Sequence, residues 1–507
     1  MIGLTEVLLF CISSIVILYF YLKYNFSYWR RKNIPYIKPN YIFGNLKDMV
    51  LMKKTAAYMF KDLYEHKIAA NEPYVGIHIF NKPGVLIRDL ELIKKVLIKD
   101  FNNFSNRFTR MNPHNDPLGS NNLFLLRNPM WRELRQKLTP VFTSGKMKQM
   151  FYLVEQIGNK LDEHLLSVPL NKQGGKAFTK ELKELCALYT TDVIASVAYG
   201  LNANSMKDPN GEFRKNGRKL FNFTVGRAVD FMSFFFLPQF IPIVNATLFT
   251  KEASNFLYAT IGYAMEEREK SGVTRNDLID VLLTFKKQNY SHDMIVAQAA
   301  VFFTAGYETT SSTMSFALYE LSQNQEAQQK LRREIKEELT KSNGKITYDL
   351  INSMEYLSIV IQEVLRMYPP LPFLDRECSM EDQNEYYQLD DKLRIPNGMP
   401  VYIPIYAIQR DEKYFDQPNK FIPERFLPEN RDKLTYNASM PFGIGPHNCI
   451  GERLGLMQAK IGLVNFLKNH YVAPNEKTQK EMVLDPLALI IAAKGGIYCD
   501  IVRDSLL

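Results

Sequence analysis

One run, residues 441–451, limits what this chain can fold into more than any other: Pro441-Phe442-Gly443-Ile444-Gly445-Pro446-His447-Asn448-Cys449-Ile450-Gly451. Proline fixes φ and removes an N–H donor. Gly443 and Gly445 admit positive φ or a close backbone approach to a flat partner. The run is therefore a loop, and a helical pattern follows at once: Ile450, Leu454, Met457, Ile461 and Val464 recur at spacings of three and four. Cys449 stands at the start of that helix, where free N–H groups and the positive helix end favour a thiolate. A thiolate on a glycine-lined loop suits a metal or a flat metal cofactor. An inert buried cysteine is the other reading of the loop taken alone.

The run resembles the haem-binding loop of the cytochrome P-450 monooxygenases, Phe-x-x-Gly-x-x-x-Cys-x-Gly, with Phe442, Gly445, Cys449 and Gly451 in the matching places. The resemblance covers the chain nearly end to end, and its details look most like the insect microsomal branch. It implies a cytochrome P-450 fold, mainly α with small peripheral β-sheets, as a single catalytic domain with an N-terminal membrane anchor. It also implies haem b as cofactor, Cys449 as the axial iron ligand, and Phe442, Gly443 and Gly451 beside the haem. The chain departs from the common pattern at His447, where most relatives carry an arginine that donates to a haem propionate. Imidazole is shorter and mostly neutral near pH 7, so weaker propionate anchoring or some pH sensitivity is expected, with thiolate ligation intact.

Length alone, at 507 residues, allows several domains. No Gly/Ser- or Pro-rich linker divides the chain beyond its N-terminal part, and there is no internal repeat. Apolar residues at 46 % suffice for a large core, and a net charge of +9 suggests a basic patch, not a nucleic-acid-binding protein. The five cysteines are odd in number and widely spaced, which excludes a disulfide framework or a zinc site and fits a reducing compartment.

Val7 to Leu22 is apolar apart from Ser13 and Ser14. With Ile2 and Leu4 it reaches the roughly 20 residues that cross a bilayer. Lys23, Arg30, Arg31 and Lys32 follow, which places the remainder in the cytosol. A cleaved signal peptide would carry its charge before the apolar run and a small-residue site after it; neither pattern is present. The expected organisation is an anchor at 1–22, a basic, Pro-containing connector at 23–45 and the catalytic domain at 46–507. The resemblance implies the endoplasmic reticulum membrane.

Tyr74–Phe80 and Val85–Arg88 are β-rich and flank Asn81-Lys82-Pro83-Gly84, which predicts a hairpin. Helical patterns dominate from there to about residue 370, most clearly over Asp277–Lys286, Asp293–Ser322, Asn324–Leu339 and Asp349–Met367. Strand signals return at Pro400–Tyr406, Leu487–Ala493 and Ile497–Val502. The aromatic stretch Phe231–Val244 is too broken by proline to span a membrane. It reads as a core loop or as a second, shallow membrane contact.

Trp131 and Arg135 fall one helical turn apart. A planar fork donor and an indole N–H suit an exposed carboxylate, and the pair resembles the family's Trp-x-x-x-Arg helix, which contacts propionate. Arg376 matches another propionate-contacting position. Gly306-Tyr307-Glu308-Thr309-Thr310 breaks helix preference inside an apolar helix, and such breaks favour a functional site. It matches the family's oxygen-activation motif. Thr309 can relay a proton and Glu308 can feed protons through water, while Gly306 can leave a widened turn. Glu363 and Arg366 lie three apart on an apolar helix, and with Arg425 they resemble a buried structural triad. Phe302, Phe303, Ala305, Leu371, Phe373 and Leu374 are expected to line a substrate pocket.

The chain carries no dinucleotide, Walker, flavin or iron–sulfur signature. A monooxygenase of this kind draws electrons from a separate NADPH-dependent reductase, with cytochrome b5 as a further candidate donor. Arg132, Lys137, Lys146, Lys148, Arg453 and Lys460 are expected to form the basic face that receives it. The sequence-level conclusion is a haem-dependent monooxygenase of a small lipophilic substrate. A haem-thiolate isomerase or dehydratase that needs no external electrons, and a cofactor-free membrane-tethered binding protein, are the alternatives.

Overall fold

A computed structural model describes residues 4–172, 174–221, 224–275, 277–382, 384–435 and 437–506. Helix α1, Leu4–Phe26, stands out from the body with its apolar side chains exposed. Its segment Thr5–Phe26 is 22 residues long, and at about 1.5 Å per residue that is enough to cross a hydrocarbon core. Ile2 lies outside the described residues. Trp29 ties the chain after α1 to the body. It is fully buried, its Nε1 donates to the Ile77 carbonyl at 2.9 Å, and a Cβ on Gly76 would sit 2.5 Å from its ring.

The body is mainly helical. The elements that position the site are α2 (Met130–Leu138), α3 (Ser144–Ser167), α4 (Leu182–Tyr199), α5 (Val225–Phe236), α6 (His292–Gln323), α7 (Glu355–Met367) and α8 (Glu452–Leu467). Strands β1 (Tyr74–Ile79), β2 (Lys82–Ile87), β5 (Pro400–Ile403) and β4 (Leu374–Glu377) form one sheet in that order. In the second, β7 (Tyr498–Arg503) lies between β3 (Ala177–Glu181) and β6 (His470–Ala473). The β1/β2 pairs are antiparallel, β2 and β5 run parallel, and β4 returns antiparallel with Arg376 opposite Val401.

Helix α6 runs through the core, capped by the Ser291 hydroxyl, which accepts from the Met294 N–H. It packs along α4 and against α7 and α8. Nearly all of its C-terminal half is buried, so apolar packing outweighs the poor helix propensity of its Gly, Thr and Ser residues.

Three local expectations change. The hairpin turns at Phe80–Asn81, and Pro83 pairs with His78 inside β2. Phe80 takes a positive φ of 52°, so a turn resting on Asn81-Lys82-Pro83-Gly84 is replaced by a tighter one. Leu487–Ala493 forms no strand; the segment holds only the single bridge from Leu484 to Ala493. The helix expected over Asp349–Met367 breaks at Met354, whose ψ of 101° is not helical.

Burial also shifts the proton affinity of Glu320, one of the acids in the core. Tyr368 Oη donates to Glu320 at 2.5 Å, and Glu320 is 6 % exposed. Burial pushes the Glu320 carboxyl up to about 7, against the Tyr368 hydrogen bond and Arg410, which pull it down; Glu363 raises it and Arg366 lowers it. The folded chain holds this proton more tightly than the unfolded chain. The group therefore favours folding below about pH 4.5, and that contribution is lost as pH rises through about 7. Glu320→Gln keeps an acceptor for Tyr368. It is expected to raise stability at about pH 8 by about 1–3 kcal/mol and to leave it little changed at about pH 5. Thermal unfolding at the two pH values checks this.

Candidate functional site

The loop of residues 441–451 folds back on itself: the Cys449 N–H donates to the Phe442 carbonyl at 2.8 Å and the Asn448 N–H to that of Gly445 at 3.0 Å. Gly443 and Gly445 both take positive φ, 70° and 77°. At Gly445 the reason is a close approach, because a Cβ there would lie 2.2 Å from the Leu97 carbonyl oxygen. Phe442, Gly443, Cys449 and Gly451 face a cavity of about 280 Å³ between this loop and α6. A Cβ on Gly451 would meet nothing within 4 Å, so the loop's inner face is flat and open.

Cys449 is exposed only in the sense that it opens into this cavity; protein surrounds it on the other sides. Helix α8 begins at Glu452 with Gly451 as its N-cap, which puts the sulfur ahead of the first turn. Burial pushes the thiol up, with the Gly451 N–H and Arg135 pulling it down and Glu452 pushing it up. The helix start and Arg135 thus act against burial here, and a bound metal cation would add to them, because a coordinating thiol is deprotonated outright.

Across the cavity stand Ala305, Gly306 and Thr309 of α6, with Phe302 beside them. The Thr309 hydroxyl donates to the Ala305 carbonyl one turn back, at 2.7 Å. Gly306 opens no widened turn, since α6 is continuous. It is small because α4 crosses there: a Cβ would lie 2.3 Å from Ile194 Cδ1. Gly306→Ala gains about 1 kcal/mol of helix propensity but overpacks this crossing by about 1–3 kcal/mol. A net loss is expected, recovered when Ile194→Val is added, and chemical denaturation of the single and double variants checks it.

Glu308 does not reach the cavity. It lies on the side of α6 that faces α4, 6 % exposed, with Lys183 Nζ 2.9 Å from its carboxylate. Lys183 also donates to Ser311 and Ser312. Phe303 points the same way, fully buried against Tyr199, Phe213 and Tyr307. Of the expected pocket residues, Ala305, Phe302, Leu371 and Leu374 line the cavity. Phe373 packs instead on Phe60, Phe235, Phe236 and Tyr402, because alternate residues of the chain entering β4 face opposite ways.

One end of the cavity is strongly basic. Trp131 and Arg135 enter from α2, and Arg107, unforeseen from sequence, enters from the segment before it. Arg376 sits just behind, 1 % exposed, with its Nε unpaired and its Nη1 donating to the Asp375 carbonyl. Burial first, then Arg107, disfavours its charge, and Asp375 supports it. Asp375 is the carboxylate at this end; it lies 3.6 Å from Arg107 and accepts from the Thr109 N–H and hydroxyl. Three guanidiniums (Arg107, Arg135, Arg376) against one carboxylate leave two positive charges uncompensated among the described residues.

His447 completes this end. Its ring lies on Trp131, centroids 3.7 Å apart, and Nε2 donates to the Ser105 carbonyl at 2.7 Å. A carbonyl only accepts, so Nε2 carries the proton, and a neutral ring offers nothing but an acceptor at Nδ1. Burial, then Arg376 and Arg107, push its pKa far down; the Ser105 hydrogen bond pushes up and Arg135 down. A bound anion acts in the opposite sense. In its neutral form His447 therefore faces the site without the fixed positive charge that an arginine brings.

The fit with a haem can be tested on these residues alone. A flat ring needs an open glycine face, and two carboxylates need two spare positive charges. An iron needs one thiol aimed inward. The cavity offers all three. Glu363, expected to anchor this region, sits beneath it, fully buried. Arg366 donates to both of its oxygens at 2.7 and 2.8 Å, Arg425 donates at 3.1 Å and the Ile422 N–H at 2.9 Å.

Comparison with known proteins agrees. The cytochrome P450 family model matches residues 34–499. The chain is 50 % identical to "Probable cytochrome P450 6g2" of Drosophila melanogaster, covering 99 % of each chain. It is 40 % identical to "Cytochrome P450 6j1" of Blattella germanica, covering 96 % of each. The chain belongs to the cytochrome P450 family, and it is a haem-dependent monooxygenase.

Proposed function

We propose that this protein inserts one atom of dioxygen into a small lipophilic substrate, with electrons from a separate NADPH-dependent reductase, at the endoplasmic reticulum membrane. The observation that carries this reading is that Cys449 and Thr309 open into one cavity walled largely by apolar side chains. Haem b, when bound, supplies oxygen activation at an iron that a cysteine thiolate enriches in electron density. On this reading Cys449 would hold the iron through its sulfur, and Arg107, Arg135, Arg376 and Trp131 would hold the propionates. Thr309 holds or passes a proton at Oγ1 after its hydroxyl turns from the Ala305 carbonyl. Glu308 works from behind α6 through its pairing with Lys183 and not as a cavity group. Phe302, Leu371 and Leu374 exclude water and orient the substrate.

Arg132 and Arg453 are exposed and suit an acidic electron donor, while Lys148, also exposed, pairs with Asp349 at 3.3 Å. Lys460 leaves that face, since it is 9 % exposed and donates to the Ile351 carbonyl. Lys137 is engaged by Gln288, Tyr290 and Glu133. Helix α1 is the proposed membrane anchor for a domain spanning residues 46–507. Exposed Tyr41, Ile42, Phe240 and Ile243 would rest on the same bilayer, while Phe231, Phe234, Phe235 and Phe236 are core.

The test is the reduced carbon-monoxide difference spectrum of the full chain, followed by turnover with purified reductase. A thiolate-type band and NADPH-dependent oxygen insertion are expected. A colourless protein would favour the binding-protein reading, and peroxide rearrangement without electrons would favour the isomerase.

A further inference from the structure

Gln298 lies on α6 in line with Phe302, Ala305 and Thr309, at spacings of four, three and four, which places all four on one helix face. It is fully buried, does not line the cavity, and every one of its polar atoms is used. Its Oε1 accepts the Leu123 N–H at 3.0 Å, and its Nε2 donates to the Asn121 carbonyl at 2.7 Å and to the Met294 carbonyl at 2.9 Å. Only one orientation of the amide satisfies a donor and an acceptor placed this way.

The segment it grips is the cavity roof. Leu123 and Phe124 line the same cavity as the cysteine loop. Asn122 closes the turn from within, accepting from the Phe124 and Leu125 N–H groups and donating to the Leu118 and Gly119 carbonyls. At its far end the turn is held by Asp116, which accepts from the Gly119, Leu248 and Phe249 N–H groups. Phe124 is tied to the basic end: its carbonyl accepts from Arg107 Nε at 3.1 Å, and its ring lies 4.2 Å from the Arg107 guanidinium. Asn122 shapes the turn, but Gln298 is the side chain of α6 that fastens it over the cavity.

We infer that Gln298 is a positioning residue that sets the size of ligand the cavity accepts, by clamping the backbone of Asn121 and Leu123 so that Leu123 and Phe124 form a fixed roof. The inference rests on the haem reading above. Its test uses the full-length, haem-loaded protein with Gln298→Met and Gln298→Glu, the second keeping the shape and the acceptor but losing the donor to Asn121. Two probes are titrated spectrally. Both bind haem iron through an imidazole nitrogen; imidazole is one small ring, whereas clotrimazole carries three aryl groups that need room between the cavity walls. Amide exchange over residues 116–126 is followed in parallel.

Both variants are expected to keep the wild-type carbon-monoxide spectrum and imidazole affinity, to lose about tenfold in clotrimazole affinity, and to exchange faster over 116–126 only. Clotrimazole binding as tight as wild type, an equal loss for both probes, or unchanged exchange in the roof would overturn the inference. Failure of wild type to give a thiolate-type spectrum would instead sink the haem reading, and the two failures are told apart by that first measurement.

Discussion

Cys449→Ser is expected to leave a folded chain with no thiolate-type band in the reduced carbon-monoxide difference spectrum and with turnover reduced to background. The substitution removes one atom's chemistry and little else. The loop is closed by backbone hydrogen bonds from Cys449 and Asn448, which serine keeps. The side chain opens into the cavity instead of filling a core, so the unfolding free energy is expected to move by less than about 1 kcal/mol. What serine cannot supply is an anionic sulfur that pushes electron density onto iron. A wild-type Soret spectrum together with full turnover in this variant would remove Cys449 from the reaction.

Glu363→Ala is expected to have the largest effect on stability, a loss of about 3–5 kcal/mol. That is a large part of the roughly 5–15 kcal/mol that holds a typical domain folded. The carboxylate takes two hydrogen bonds from Arg366, one from Arg425 and one from the Ile422 N–H, in a place with no solvent access. Arg366 keeps its bonds to the Gln409 and Pro418 carbonyls, but its charge stays buried without an anion. Adding Arg366→Met to Glu363→Ala should therefore recover part of the loss, since it removes the stranded cation. Denaturant unfolding of the single and double variants measures both steps. A loss below about 1 kcal/mol for Glu363→Ala would reduce the triad to a minor contact.

These two residues were also the easiest to read. A cysteine on a Gly/Pro loop before an apolar helix, and an acid and an arginine three apart on an apolar helix face, are spacings that local geometry turns directly into neighbours. Trp131 and Arg135 belong with them, because residues four apart share a helix face and both reach the cavity. Reading fails where neighbours in sequence diverge in space. Glu308 and Thr309 form one motif, yet consecutive helical residues point about 100° apart; Thr309 meets the cavity and Glu308 meets Lys183. Phe302 and Phe303 part in the same way, and Phe373 parts from Leu374 through strand alternation.

By itself the sequence determined the class of fold, through its family motifs, and also the thiol on its glycine loop, the acid–arginine pair and the apolar anchor read at 1–22, because these last three are set by residues a few positions apart. Only the tertiary structure decided which face of α6 looks into the cavity. It also brought Arg107 to the basic end, turned His447 onto Trp131 and fastened the roof to Gln298. The partners that hold His447 and the roof lie between 175 and 342 residues away in the chain. The physical reason is that a helix's periodicity specifies the spacing of its apolar stripe, while the elements packed around it choose the direction the stripe faces.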